Sequence, residues 1–162
     1  MNQQQLRESV TTFAQTRTME RALGTEEETH RLYLLLDDGR TEEIGNGPDA
    51  YEVIERAAVK LKLGLLENIK EAAGVIMENP AYAAQAQTME EAQHADKVEV
   101  IITSGHNGAT LATFIASRHE QDAHHFAGDD MAEAMTSGQM ADTMEKIALC
   151  VLMARAIVES QD

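Results

Sequence analysis

Residues 139–160 constrain the fold most, because apolar residues recur there at helical spacing on more than one side. The first stripe consists of Met140, Met144, Ile147, Val151, Ala154 and Val158. Much of the remaining surface is formed by Leu149, Cys150, Leu152, Met153 and Ile157. A helix that is apolar nearly all round is normally enclosed by other elements. The segment therefore predicts a C-terminal helix covered by its own domain or by a second subunit, and a homo-oligomer formed through residues 140–158.

Residues 48–78 contain a second long apolar pattern. Pro48 and Asp49 suit the first turn of a helix, because proline lacks an N–H and a carboxylate complements the positive end of the helix dipole. The apolar residues form two neighbouring stripes: Tyr51, Ile54, Ala58, Leu61, Leu65, Ile69, Ala72 and Ile76, and beside them Val59, Leu63, Leu66, Ala73 and Met77. We therefore expect one long central helix that packs on the C-terminal helix.

The sequence predicts strands in two places. An apolar run at 30–36 precedes Asp38-Gly39, the preferred pair for a type I′ turn, and a return strand up to residue 44. Residues 98–103 are rich in β-branched side chains. Helices are expected over 3–23 and 80–96, and a short one over 109–117.

These elements predict a single domain, 1–162, of the α+β class. We expect it to be helix-dominated, with the long central helix on the C-terminal helix and a small antiparallel sheet made of the hairpin 30–44 plus strand 98–103. The alternative is an all-α protein with a hairpin arm.

Charge and composition exclude several functions. The chain has 28 Asp and Glu against 13 Lys and Arg, a net charge of −15, so direct binding to nucleic acid or to anionic membranes is disfavoured. Its longest apolar run, residues 147–158, is 12 residues and is interrupted by Arg155, against about 20 needed to span a bilayer. The single Cys150 cannot form an intrachain disulfide. We therefore expect a cytoplasmic protein that requires no cofactor.

Residues 119–145 hold seven carboxylates, three histidines and no Lys or Arg. Concentrated like charge opposes compaction, so it favours a surface for a basic protein partner. The predicted contact residues are Asp122, Asp129, Asp130, Glu133 and Asp142. The function that this pattern favours is a non-enzymatic interaction module, an inhibitor or adaptor whose acidic surface would imitate the charge of a nucleic acid.

A small metal- or ligand-dependent enzyme or sensor is the main alternative. Its divalent metal would be held within 119–125 by His119, Asp122 and His124, although the spacing does not match the His-Glu-x-x-His helix of metalloproteases. Its ligand would bind at the loop 104–110, where backbone N–H groups at a helix start attract anions. The loop residues concerned are Gly105, His106, Gly108 and Thr110. A third alternative is a structural subunit of a larger assembly.

Overall fold

The described part of the chain forms three α-helices of 13 residues or more, one short 3₁₀ helix and six strands. The computed structural model describes residues 1–23, 29–83, 90–91, 98–117, 124–127 and 138–161. The elements in chain order are α1 (Gln3–Leu23), β1 (His30–Leu36), β2 (Thr41–Gly47), α2 (Ala50–Lys62), a short 3₁₀ helix (Ile69–Glu71), β3 (Ala72–Ala83), β4 (Val98–His106), β5 (Leu111–Ser117), β6 (His124–Ala127) and α3 (Gly138–Ser160). All strand pairs are antiparallel, and the strands form one sheet in the order β2-β1-β3-β4-β5-β6.

Helices cover both faces of this sheet. Successive side chains of a strand point to opposite faces, so β1 and β3 contribute to a separate core on each side. The core beneath α1 contains Leu6, Val10, Ala14, Tyr33, Leu35, Ile76, Ala112, Phe114 and Ala116. The core beneath α2 and α3 contains Leu32, Leu34, Leu36, Ile44, Val53, Ile54, Ala57, Leu66, Ala72, Val75, Met77, Met140, Met144, Ile147, Ala148 and Val151. The fold is thus a three-layer α/sheet/α arrangement.

The α+β class is correct, but the helix-dominated arrangement with a small sheet is wrong. Instead of one helix over 48–78, the chain forms α2, a turn, the 3₁₀ helix and the first half of β3. Helix α2 ends because Gly64 adopts the left-handed conformation, with φ of 69°. The Gly64 N–H then donates to the Leu61 carbonyl and the Leu65 N–H to the Lys60 carbonyl, as in a Schellman motif.

The second error concerns residues 72–78, which belong to central strand β3 rather than to a helix. Every residue from Ala72 to Glu78 is buried, because β1 and β4 flank the strand and helices cover both of its faces. A continuous apolar run satisfies helical spacing as readily as it fits a strand buried on both sides. Pro80 lies beyond Glu78, where the pairing with β1 has ended.

The third error concerns residues 109–117, which form β5 instead of a short helix. Asn107-Gly108 lies in the turn between β4 and β5, and Gly108 has a φ of 92°. Asn-Gly between two apolar runs is the same hairpin signal that Asp38-Gly39 gives earlier in the chain. The sheet therefore contains a second hairpin, β4–β5, and is larger than the small sheet that the sequence predicted.

Other expectations agree with the structure. The hairpin spans β1 and β2, residues 98–103 lie within β4, and α1 and α3 occupy the predicted segments. Of the helix expected at 80–96, residues 80–83 belong to β3 instead, residues 90–91 are helical, and 84–89 and 92–97 lie outside the described residues. No helix in the described ranges is long and apolar enough to cross a membrane.

Candidate functional site

The predicted acidic surface belongs to the chain between β5 and α3. Asp122, Asp129, Asp130 and Glu133 lie outside the described residues, whereas Asp142 is exposed on α3. Between β5 and α3 the chain passes through β6, which is an edge strand of the sheet. The segment therefore includes β6 and continues into α3, on which Asp142 is exposed.

The predicted metal ligands fall in the same part of the chain. His119 and Asp122 lie outside the described residues, and His124 begins β6, where its backbone is opposite Ala116. Within the described ranges, no three His, Cys, Asp or Glu residues come together as candidate metal ligands.

The predicted anion loop is the tight turn of the β4–β5 hairpin, and its backbone donors have partners inside the turn. The Gly108 N–H donates to His106 Nδ1 at 2.9 Å, and the Asn107 N–H donates to the Thr110 carbonyl at 3.3 Å. The N–H groups of Ala109 and Thr110 donate to Asn107 Oδ1 at 2.9 and 2.7 Å. Since no helix begins here, the ligand-binding hypothesis loses the helix N-terminus on which it was based.

Gly105 and His106 both lie in β4, on opposite faces of the sheet. A Cβ at Gly105 would come within 2.4 Å of Val10 Cγ2, so this glycine permits close packing of α1. His106 is opposite Val75 on the α2–α3 side and is 5% exposed. Because Nδ1 accepts the Gly108 N–H, the neutral ring has its proton on Nε2. Burial lowers the pKa of His106, and the charge of Glu145 partly opposes this shift.

We expect the buried His106 to make stability depend on pH. Its pKa is lowered in the folded state, whereas an unfolded histidine titrates near 6.5, so below about pH 6.5 the unfolded chain binds more protons. The free energy of unfolding should therefore fall with decreasing pH, by up to about 1.4 kcal/mol per pH unit, until the folded state is also protonated. Urea unfolding between pH 8 and 5 checks this.

His106→Gln is the reference variant for that experiment, because the titration of every other group is common to both proteins. The difference in unfolding free energy between wild type and variant should shrink as the pH falls. A difference that stays constant across this range would contradict the predicted role of His106.

A buried ionic cluster between α1 and the sheet was not predicted from the sequence. Glu78 of β3 is 2% exposed, and its carboxylate accepts hydrogen bonds from Arg17 Nε at 3.0 Å and from Arg17 Nη2 at 3.2 Å. Arg21 Nη2 and the Tyr33 hydroxyl, at 3.3 Å, also donate to it. Burial and the Glu78 charge raise the pKa of Tyr33 well above its usual value. This hydroxyl therefore remains protonated as a donor.

The cluster did leave a signal in the sequence. Arg17 and Arg21 continue at helical spacing the stripe that begins with Leu6, Val10 and Ala14, so two charged residues occupy the buried side of α1. Buried charges require paired partners. The pattern thus implies an acidic residue inside the protein, although it does not identify Glu78. The cluster attaches the C-terminal half of α1 to the sheet.

An open cleft of about 580 Å³ lies between α1 and the β1–β2 turn. The carboxylates that line it already have partners: Gln4 donates to Glu8, Arg40 to Asp38 and Arg155 to Asp37. The first contact lies within α1, the second within the β1–β2 turn, and the third joins α3 to that turn. With all three carboxylates paired in this way, the cleft is a poor binding site for a charged ligand.

The outer surface of α2 and α3 is the other candidate site. We use the name α2–α3 outer surface for the solvent-facing side of residues 50–71 and 138–161. Tyr51, Val59, Leu63, Leu65, Leu149, Met153 and Ile157 are exposed there. Cys150, for which burial was expected, is exposed as well. Several large apolar side chains exposed on one layer commonly mark a protein interaction site.

Comparison with known proteins gives no further guidance. No protein-family model, curated protein or solved structure matches the chain. The functional argument therefore depends on the charge, burial and geometry of the residues described above.

Proposed function

We propose that the protein is a non-enzymatic interaction module that binds a basic surface of another protein through the acidic segment between β5 and α3. The supporting observation is the distribution of charge over the fold. Helices α1, α2 and α3 together hold seven acidic and eight basic residues, so the entire acidic excess lies in the rest of the chain. The excess of acidic over basic residues is therefore not needed to balance basic residues on the helices that enclose the sheet.

A concentrated part of the excess of acidic over basic residues lies in the chain between β5 and α3. Residues 118–137 contain five acidic residues and one basic residue, and Asp142 and Glu145 add exposed carboxylates on α3. Clustered like charges repel each other, and a basic partner would relieve this repulsion. Such a surface suits an inhibitor or adaptor that imitates the charge of a nucleic acid and does not itself bind nucleic acid.

The proposal includes a location and an assembly state. We place the protein in the cytoplasm, where the exposed thiol of Cys150 would stay reduced. We also propose that it is a homo-oligomer, because the α2–α3 outer surface exposes large apolar side chains.

The experiment is affinity capture of the partner from host lysate, followed by measurement of its association rate. Replacing Asp129, Asp130 and Glu133 together, by Asn, Asn and Gln, should slow association about tenfold at low salt, since long-range attraction accelerates encounter. Association with the wild type should also slow as salt rises, because the Debye length falls from about 10 Å at 0.1 M to about 3 Å at 1 M.

A matched control removes the same number of negative charges elsewhere. Glu8, Glu90 and Glu91 are exposed and lie outside both the acidic segment and the α2–α3 outer surface, and their replacement by Gln should change the association rate less than about twofold. Equal effects of the two triple variants would contradict the proposed site. One metal ion retained per chain in elemental analysis would favour the metal-dependent alternative instead.

A further inference from the structure

The two outer helical layers of the protein differ in what they expose to solvent. Among the described residues, eight large apolar side chains are exposed, and seven of them belong to the α2–α3 outer surface. The α1 layer contributes only Met19. Both layers cover a face of the same sheet, so both would face water in a monomer. The asymmetry indicates that the α2–α3 outer surface is covered by another molecule.

Helix α3 shows this most clearly. Leu149, Met153 and Ile157 follow one another at intervals of four residues and are 42%, 64% and 56% exposed. Met144 and Val151, on the opposite side of the helix, are completely buried. Helix α3 is thus apolar both towards the sheet and towards solvent, which is the pattern of an enclosed helix.

The charge of the surface indicates what covers it. Residues 50–71 contain four acidic and four basic residues, and residues 138–161 contain three acidic and two basic residues. Together the two segments have a net charge of −1, although the whole chain has a net charge of −15. A strongly charged partner would gain little long-range attraction here. Two copies of the chain can approach each other through this surface without strong mutual repulsion.

The surface is also complementary to itself. Residues 56–66 of α2 and the following turn include Arg56, Lys60 and Lys62 but no acidic residue. Arg56 is paired with Glu52 and Lys60 donates to the Ile44 carbonyl, so the complementarity depends on the exposed Lys62. The beginning of α3 has the opposite sign, because Asp142 and Glu145 precede its first basic residue. Each copy therefore offers one apolar strip with basic neighbours, on α2, and another with acidic neighbours, on α3.

We propose that the protein forms a two-fold symmetric homodimer in which α2 of each copy packs on α3 of the other. A two-fold interface pairs the same two surfaces twice, so both complementary contacts form together. Val59, Leu63, Leu149, Met153 and Ile157 form its apolar centre. This inference rests on the self-association proposed above and specifies which helices form the contact. It does not require the acidic segment to bind a partner.

Sedimentation velocity of the full chain tests the proposal. The wild type should sediment with twice the chain mass of 17.8 kDa at micromolar concentration. Met153→Glu should weaken the dimer about 100-fold or more, because it places an unpaired charge in the apolar centre. Met19→Glu is the matched control, since Met19 is 66% exposed on the other layer, and it should leave the dimer unchanged.

Charge reversal tests the pairing of α2 with α3. Lys62→Glu or Glu145→Lys alone should weaken association about tenfold, and the two together should restore much of it. Circular dichroism and the melting temperature verify that each variant is folded. Failure of the double variant to recover would overturn the α2–α3 pairing in favour of another arrangement of the two copies.

Two further results would overturn the dimer itself. One is a wild type that stays monomeric up to about 1 mM, the weak end of specific association. The other is equal dissociation by Met153→Glu and Met19→Glu. Since Met153 is outside the acidic segment, Met153→Glu should still bind the basic partner, so failure of the dimer and failure of the proposed function are distinguishable.

Discussion

Replacing Glu78 by alanine is expected to destabilise the protein by about 3–5 kcal/mol, the usual effect of removing one member of a buried ion pair. The carboxylate is 2% exposed and accepts hydrogen bonds from Arg17, Arg21 and Tyr33. Without it, the Arg17 guanidinium remains between α1 and the sheet with its charge less well compensated. Urea unfolding at a fixed protein concentration measures the change.

Two variants separate charge from size. Glu78→Gln keeps the volume and a hydrogen-bond acceptor but loses the charge, so its effect should be smaller than that of Glu78→Ala. Replacing Arg17, Arg21 and Glu78 together by Met should recover much of the loss, because no buried charge is then left unpaired. A Glu78→Ala protein within about 0.5 kcal/mol of wild type would show that the cluster does not stabilise the fold.

Local signals explain which parts of the fold could be predicted. The Asp38-Gly39 turn lies between two strands whose ends it determines, so the hairpin is visible in a short window of sequence. The helical periodicity of α1 and α3 is equally local. Asn107-Gly108 gives the same kind of signal, but the apolar residues after it also fit a short helix. The turn pair is the feature of the sequence that distinguishes the β4–β5 hairpin from that helix.

The central strand could not be identified in the same way. Burial on both faces removes the alternation of apolar and polar residues that identifies a half-exposed strand, so Ala72 to Glu78 also fit a helix. Whether these residues form a strand or a helix is decided by residues outside the segment. Gly64 ends α2, and β1 and β4, which are distant in sequence, provide the hydrogen bonds on either side of β3.

The candidate sites, too, are visible in the sequence only where they depend on local features. The apolar character of Leu149, Met153 and Ile157 is visible in the sequence, but their exposure becomes clear only when the sheet covers the other side of α3. The pairing of Arg17 with Glu78 spans 61 residues, and no local pattern encodes it. Glycine spacing at 105–108 suggested an anion site because a helix was expected there. In a hairpin, the same residues form a turn.

Ile76 and Met77 provide a direct test of the three-layer architecture. Both are completely buried, but Ile76 belongs to the core beneath α1 and Met77 to the core beneath α2 and α3. Each replacement by alanine should cost about 2–5 kcal/mol, because a cavity remains in a packed core. Met19→Ala, at an exposed position, should change stability by less than about 0.5 kcal/mol.

The double variant Ile76→Ala, Met77→Ala distinguishes two cores from one. Their side chains enter separate cores on opposite faces of the sheet, so the two changes can couple through the shared backbone but not through a common cavity, and their effects should add to within about 1 kcal/mol. In one central helix packed against a single core, the two cavities would adjoin and their effects would couple. Urea unfolding of the two single variants and the double variant, at one protein concentration, gives the coupling energy. A value above about 1 kcal/mol would contradict the division of the interior by the sheet, because only residues that share partners couple so strongly.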